Sequence, residues 1–265
     1  MKRLFCAAAL CFFVTSTHAA NGLVISMKST KNGATSTDQI QLDANHMRAQ
    51  MTGRGGGNTM VFDGVKQSMY IIDDAQKTYS EVTKEDLDRA AAQMQSMMAS
   101  IPPEQRAKIE AMMKGGAGRG MPGMPTAATK PTFKKTGTDK VGKWTCDKYE
   151  GYEGERKTSE VCTVPTSALG LSDSDFAVTK QFAKFFSGVM PQMSSSQVFS
   201  LGSLEDRGFV GVPVRTISYG ADGSVQGTTE VSDISHQNIP DSTFAPPAGY
   251  QKQDTAFGRG RRGGR

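Results

Sequence analysis

Between Gly22 and Val82, short runs of β-prone residues alternate with turn chemistry at close and fairly even intervals. That rhythm admits little other than an antiparallel meander. Leu23 to Thr30 leads into Lys31-Asn32-Gly33, and Asn-Gly is the strongest short hairpin signal. Gln39 to Leu42 gives way to Asp43-Ala44-Asn45-His46, after which Met47 to Thr52 resumes the pattern. The apolar phase is carried by Ile40 and Leu42 before that break and by Met47, Ala49 and Met51 after it. A turn accounts for the change of phase, because one continuous strand would put the two sets on opposite faces. Gly53-Arg54-Gly55-Gly56-Gly57-Asn58 is predicted as a connector. Thr59 to Phe62, Ser68 to Ile72 and Thr78 to Val82, separated by Asp63-Gly64 and Asp73-Asp74, complete about six strands.

Helical periodicity follows. Thr83 is placed as an N-cap, with Glu85 and Asp86 in the first turn, where acids complement the helix dipole. Leu87, Ala90, Ala91, Met94, Met97, Met98 and Ile101 recur at three- and four-residue steps and form one apolar stripe. Pro102-Pro103 stops the helix, and Glu104 to Met113 reads as a second one. Residues 114–131 form a Met/Gly/Pro-rich linker without a core-forming pattern. Order is expected again from Phe133, with strands at Lys143 to Tyr149 and Lys157 to Val164 around Glu150-Gly151-Tyr152-Glu153-Gly154. Asp173 to Met190 is predicted as an amphipathic helix. Gly208 to Tyr219 and Ser224 to His236 flank Ala221-Asp222-Gly223 as a last hairpin, and Phe244 to Tyr250 closes the domain. Two β segments, each with amphipathic helices attached, predict an α+β fold in which helices cover a large curved antiparallel sheet.

The ends of the chain bear on compartment. Lys2 and Arg3 precede an apolar run from Leu4 to Val14, and Thr17-His18-Ala19-Ala20 offers a cleavage site near Ala19 or Ala20. Residues 1–20 are therefore expected to be a signal peptide and the mature protein to be periplasmic, with 21–252 as one domain and 253–265 as a disordered Arg/Gly tail. Without Lys2, Arg3 and the tail residues Arg259, Arg261, Arg262 and Arg265, the 31 basic residues drop just below the 26 acidic ones. A near-neutral folded part argues against nucleic acid as a partner. The tail suits an anionic membrane surface. Cys6 and Cys11 leave with the leader, so Cys146 and Cys162 remain as an even pair in an oxidising compartment and are expected to form a disulfide.

Residues that carry chemistry are sparse. His46 and His236 are the histidines outside the leader, and two are too few for a Ser-His-Asp hydrolase or a histidine-rich zinc enzyme. Neither G-x-S-x-G nor H-E-x-x-H, a P-loop or a dinucleotide fingerprint occurs. Asp173 and Asp175 fit helix capping better than paired acid–base work. A non-enzymatic protein without a cofactor is the expectation. Fifteen methionines leave two readings open: soft thioether ligands for Cu(I), or adaptable filling of apolar surface.

The run Leu23-Val24-Ile25-Ser26-Met27-Lys28, His46 to Met51, Met60-Val61-Phe62-Asp63, Met69 to Asp73 and Lys77-Thr78-Tyr79, with the closing Ile239 to Tyr250, resembles an exported bacterial family named domain-of-unknown-function 4412. That family is similar to the lipoprotein-carrier (LolA/LolB-like) superfamily. The resemblance implies a half-barrel sheet wrapped around helices and a binding role for a lipid or a lipoprotein acyl chain. On that reading Met51, Phe62, Met69 and Ile71 line the sheet side of a ligand groove, and Met94, Met98, Phe182 and Phe186 line its helical lid. An envelope interaction or stress module without a small ligand is the alternative.

Overall fold

The computed structural model describes residues 19–53, 56–102, 104–105, 131–186 and 208–254. The first six strands are β1 (Ala19–Lys31), β2 (Ala34–Leu42), β3 (His46–Gly53), β4 (Gly56–Asp63), β5 (Ser68–Asp73) and β6 (Thr78–Thr83). Helix α1 (Lys84–Ser100) follows β6 directly. Next come β7 (Thr132–Val141), β8 (Trp144–Glu153), β9 (Arg156–Val164), helix α2 (Ala177–Phe186), β10 (Val212–Tyr219), β11 (Val225–Pro240) and the short β12 (Gln251–Gln253). All twelve strands join one sheet in the order β12-β6-β5-β4-β3-β2-β1-β11-β10-β9-β8-β7. Every neighbouring pair is antiparallel except β12 on β6.

Local chemistry explains most of the boundaries. Asn32 and Gly33 both take positive φ, 50° and 76°, as a tight hairpin between β1 and β2 requires. Asp43 Oδ1 accepts the Asn45 and His46 amides at 2.8 and 2.6 Å and turns the chain from β2 into β3. Asp63 Oδ1 does the same for Val65 and Lys66 at 3.0 and 2.8 Å. Thr83 caps α1: its Oγ1 accepts the Asp86 amide at 3.2 Å, while Asp86 Oδ2 accepts the Thr83 amide at 3.1 Å.

Several boundaries differ from expectation. Gly56, Gly57 and Asn58 are strand residues paired with Gly53, Thr52 and Met51, not part of a connector. The predicted turn at Glu150 to Gly154 is mostly strand, and the reversal falls after Glu153. Gly151 sits beside a register shift in the β8–β9 ladder, where a Cβ would lie 2.4 Å from Ser159 Oγ and 2.7 Å from Phe133 Cε1. The helix predicted from Asp173 starts as a 3-10 turn, Asp173–Phe176, with Asp175 closing a capping box on Ser172. β1 begins at Ala19, so the segment expected as leader overlaps the ladder by Ala19 and Ala20, which pair with Pro240 and Ile239. The linker at 114–130, most of the Glu104–Met113 helix, residues 187–190 of the predicted Asp173–Met190 helix, and the tail from 255 onward lie outside the described residues.

Two apolar clusters hold the sheet. The larger joins Leu23, Leu42, Met47, Phe62, Met69 and Val82 to Leu87 of α1 and to Val178, Phe182, Phe185 and Phe186 of α2, and continues to Cys146, Cys162, Val212 and Val214. The smaller is on the opposite face and comprises Val24, Val61, Ile72, Ile239 and Phe244, with Tyr70, Tyr79 and Tyr250 against it. The segment from Pro240 to Tyr250 crosses that second face as a strap. Arg48 Nη1 donates to the Thr243 carbonyl at 3.1 Å, Phe244 stacks on His46 at 5.1 Å, and Tyr250 Oη donates to Asp74 at 3.1 Å. Cys146 and Cys162 are bonded as a disulfide.

Candidate functional site: an apolar sheet face that is only partly covered

Strand alternation puts every second residue of β1 to β6 on the face that α1 and α2 contact, and the register lines these residues into rows across the strands. The first row is Leu23, Leu42, Met47, Phe62, Met69 and Val82. Each of these residues is at most 5% exposed. Phe62 is the contact point for α2, with Phe182 edge-on at 5.0 Å and Phe185 at 5.3 Å. Phe186 completes the packing at 5.0 Å from both of its helical neighbours. Such offset and edge-to-face pairs add to the stabilisation that burial itself supplies.

The second row, roughly 7 Å along the strands, is Ile25, Ile40, Ala49, Met60, Ile71 and Ser80. Its β1 end is buried, Met60 is half-buried, and Ile71 is 41% exposed. In the third row Met51 faces Asn58, which in turn faces Asp73. Met51 is 45% exposed. Burial thus falls row by row along this face, and in the third row Met51 stands among the polar Asn58 and Asp73.

This geometry divides the predicted groove residues. Phe62, Met69, Phe182 and Phe186 pack on one another as core. Met51 and Ile71 occupy the same face further along, where they meet water. The side chains of Met94, Met97 and Met98 lie outside the described residues. Among the described residues there is no grouping of three or more His, Cys, Asp or Glu side chains able to hold a metal ion.

Sequence reasoning missed a polar network on β8 to β10. Lys157 bridges Glu150 at 2.8 Å and Glu160, Lys148 reaches Glu160 at 3.1 Å, and Tyr219 and Tyr152 donate to Glu160 and Glu150 at 2.7 and 2.6 Å. Burial alone would raise the Glu160 pKa. Hydrogen bonds from Lys157, Tyr219 and Lys148 outweigh that effect and hold the carboxyl down at about 2. Burial would lower the Lys157 pKa, but its hydrogen bonds to Glu150 and Glu160 raise it above the ordinary lysine value. The only signal in the sequence was alternation of Lys, Glu and Tyr on neighbouring strands, which any solvated sheet face shares. His46 Nδ1 lies 2.9 Å from Asp43 Oδ2, while His236 Nε2 is 3.2 Å from Asp175, so each histidine partners a carboxylate.

A family model described as "Domain of unknown function (DUF4412)" matches residues 123–250, so the family named from the sequence is the one found. The matched stretch includes the closing Ile239 to Tyr250 and begins after the Leu23 to Tyr79 run. No curated protein matches the chain. Among solved structures, the chain is similar to an uncharacterized conserved protein from Thermus thermophilus, at 7% identity and a TM-score of 0.46, covering 89% of this chain and 91% of that one. It is also similar to the MucA/MucB complex structure of Pseudomonas aeruginosa, at 11% identity and a TM-score of 0.38, covering 87% of this chain and 57% of that one. A putative outer membrane lipoprotein-sorting protein domain from Vibrio parahaemolyticus matches at 8% identity and a TM-score of 0.24, covering 85% and 89% of the two chains.

Proposed function

We propose that the protein is an exported, non-enzymatic binding protein that shelters an apolar or amphipathic, lipid-like ligand on the helix-bearing face of its sheet. The sheet acts as a curved half-barrel whose inner face the helices cover in part. One observation carries this reading: the apolar face continues past the α2 phenylalanines, leaving Ile71 and Met51 41% and 45% exposed on the same side as the buried Phe62 and Met69. Large apolar side chains left in water beside a packed core gain free energy when an alkyl group covers them, by about 0.8 kcal/mol per buried methylene.

Export is supported by the charged and apolar pattern of residues 1–20 and by the Cys146–Cys162 bond, which persists in an oxidising compartment. No described helix is long and apolar enough to cross a membrane. The basic tail would bring the carrier to an anionic lipid surface.

Native mass spectrometry of the mature protein isolated from the periplasm, followed by denaturing extraction, tests the reading. A released fatty acid, phospholipid or lipopeptide supports it. A bare polypeptide mass, together with no binding of an added alkyl probe, overturns it in favour of an interaction module.

A further inference from the structure

We propose that Met51 is an oxidation site whose conversion to the sulfoxide weakens apolar binding on this face; the consequence for binding rests on the function proposed above. The methionines of the face differ sharply in access. Met47 is 1% and Met69 5% exposed in the first row, Met60 is half-buried in the second, and Met51 is 45% exposed in the third. Met51 shares β3 with Met47, so two thioethers four residues apart on one strand and one face experience opposite solvent access.

Thioether oxidation follows access to the oxidant. Hydrogen peroxide supplies the oxygen. The sulfur lone pair attacks one peroxide oxygen, the S–O bond forms as the O–O bond breaks, and the proton on the transferred oxygen passes to the departing hydroxide, which leaves as water. Sulfur is oxidised by two electrons and the reagent is reduced by two. The product is a polar, chiral sulfoxide in place of a flexible apolar group. Met51 and Ile71 stand on one face, two strands and one row apart, with Asn58 and Met60 of β4 between them, so the new dipole stands at the edge of the surface an alkyl chain would cover. An amphipathic ligand would then lose contact area and have to desolvate the sulfoxide oxygen.

The sequence makes the test direct. Tryptic cleavage after Lys31, Arg48, Arg54, Lys66 and Lys77 gives separate peptides that carry Met47, Met51, Met60 and Met69 one each. The folded mature protein is treated with dilute hydrogen peroxide and sampled over time. Met51 sulfoxide is expected to accumulate about tenfold faster than Met47 or Met69 sulfoxide, and the difference should vanish in urea. In parallel, the affinity for N-phenyl-1-naphthylamine is measured before and after treatment for wild type and Met51→Leu. Wild type should lose about fivefold, and Met51→Leu should retain a larger share of its own starting affinity. The proposal is overturned if Met51 oxidises no faster than Met69, or if both proteins lose the same share. Absence of probe binding before any treatment would instead refute the binding role, while the peptide map would still decide whether Met51 is the oxidation site.

Discussion

Replacing Ile71 by Ser and, separately, Met69 by Ala separates a ligand surface from a core. The two side chains are two residues apart on β5 and share a face, but Met69 is 5% exposed and Ile71 41%. Truncating Met69 removes a packed group beneath the α2 aromatics and leaves a cavity, which costs about 2–4 kcal/mol of folding stability. Ile71 has already left two-fifths of its surface in water, so its loss costs about 1–1.5 kcal/mol. Binding should show the reverse order. Covering the exposed part of Ile71 contributes about 1 kcal/mol to an apolar ligand, or roughly fivefold in Kd. Met69 offers a ligand almost no free surface. Urea unfolding gives the first quantity and titration with N-phenyl-1-naphthylamine the second, both at a temperature where each variant stays folded. If Met69→Ala weakened the probe as much as Ile71→Ser, the ligand would occupy the interior between sheet and helix, and the exposed rows would not be the site.

Three further outcomes follow from the geometry. Glu160→Gln should lower stability by about 1–3 kcal/mol at neutral pH. The carboxyl sits at about 2 in the folded state, below the ordinary value near 4.3, so its contribution is present above that value and is lost as pH falls toward 2; acid titration of wild type against variant by circular dichroism checks this. Replacing both Cys146 and Cys162 by Ser opens the covalent loop between β8 and β9 and should lower the urea midpoint by an amount equivalent to about 2–3 kcal/mol, matching reduction of wild type. Gly22→Ala should destabilise by about 1–3 kcal/mol in thermal unfolding, because the added Cβ would lie 2.5 Å from both the Leu42 carbonyl oxygen and Ile239 Cδ1.

The local grammar of the fold was legible and the long-range pairing was not. Asn32-Gly33, Asp43 and Asp63 act through their own side chains or φ angles, so the turns they make could be read from neighbours alone. The Thr83 cap and the Asp175 capping box are of the same kind. Gly56, Gly57 and Gly151 were misjudged because glycine's low strand propensity signals a loop, although the register pairs Gly56 and Gly57 in the ladder and close approach of Ser159 and Phe133 leaves no room for a Cβ at Gly151. β7 left almost no mark: at the edge of the sheet, Lys134, Lys135 and Lys140 replace apolar alternation. The β1–β11 ladder joins Leu23 to His236, and nothing in either segment specifies the other.

The same distinction explains why the candidate site was only half visible. A period of two assigns a residue to a face within its own strand, and the register of β3, β4 and β5 brings Met51, Phe62, Met69 and Ile71 to one face. It carries no information on depth along the strand. Depth is set by where α2 lands, and Phe182 and Phe185 meet Phe62 there, with Phe186 packed behind them. A helix is about 10 Å across, so it covers the row it touches and part of the next. Rows further along the strands stay open however apolar they are. The exposed Met51 and Ile71 therefore follow from two independent facts, a strand longer than the helix is wide and an apolar pattern that does not stop where the helix does. The first is geometry that the fold imposes. The second is a property of the residues alone, because a solvent-facing strand end would ordinarily be polar, as Asn58, Asp73 and Thr78 are in the row that holds Met51.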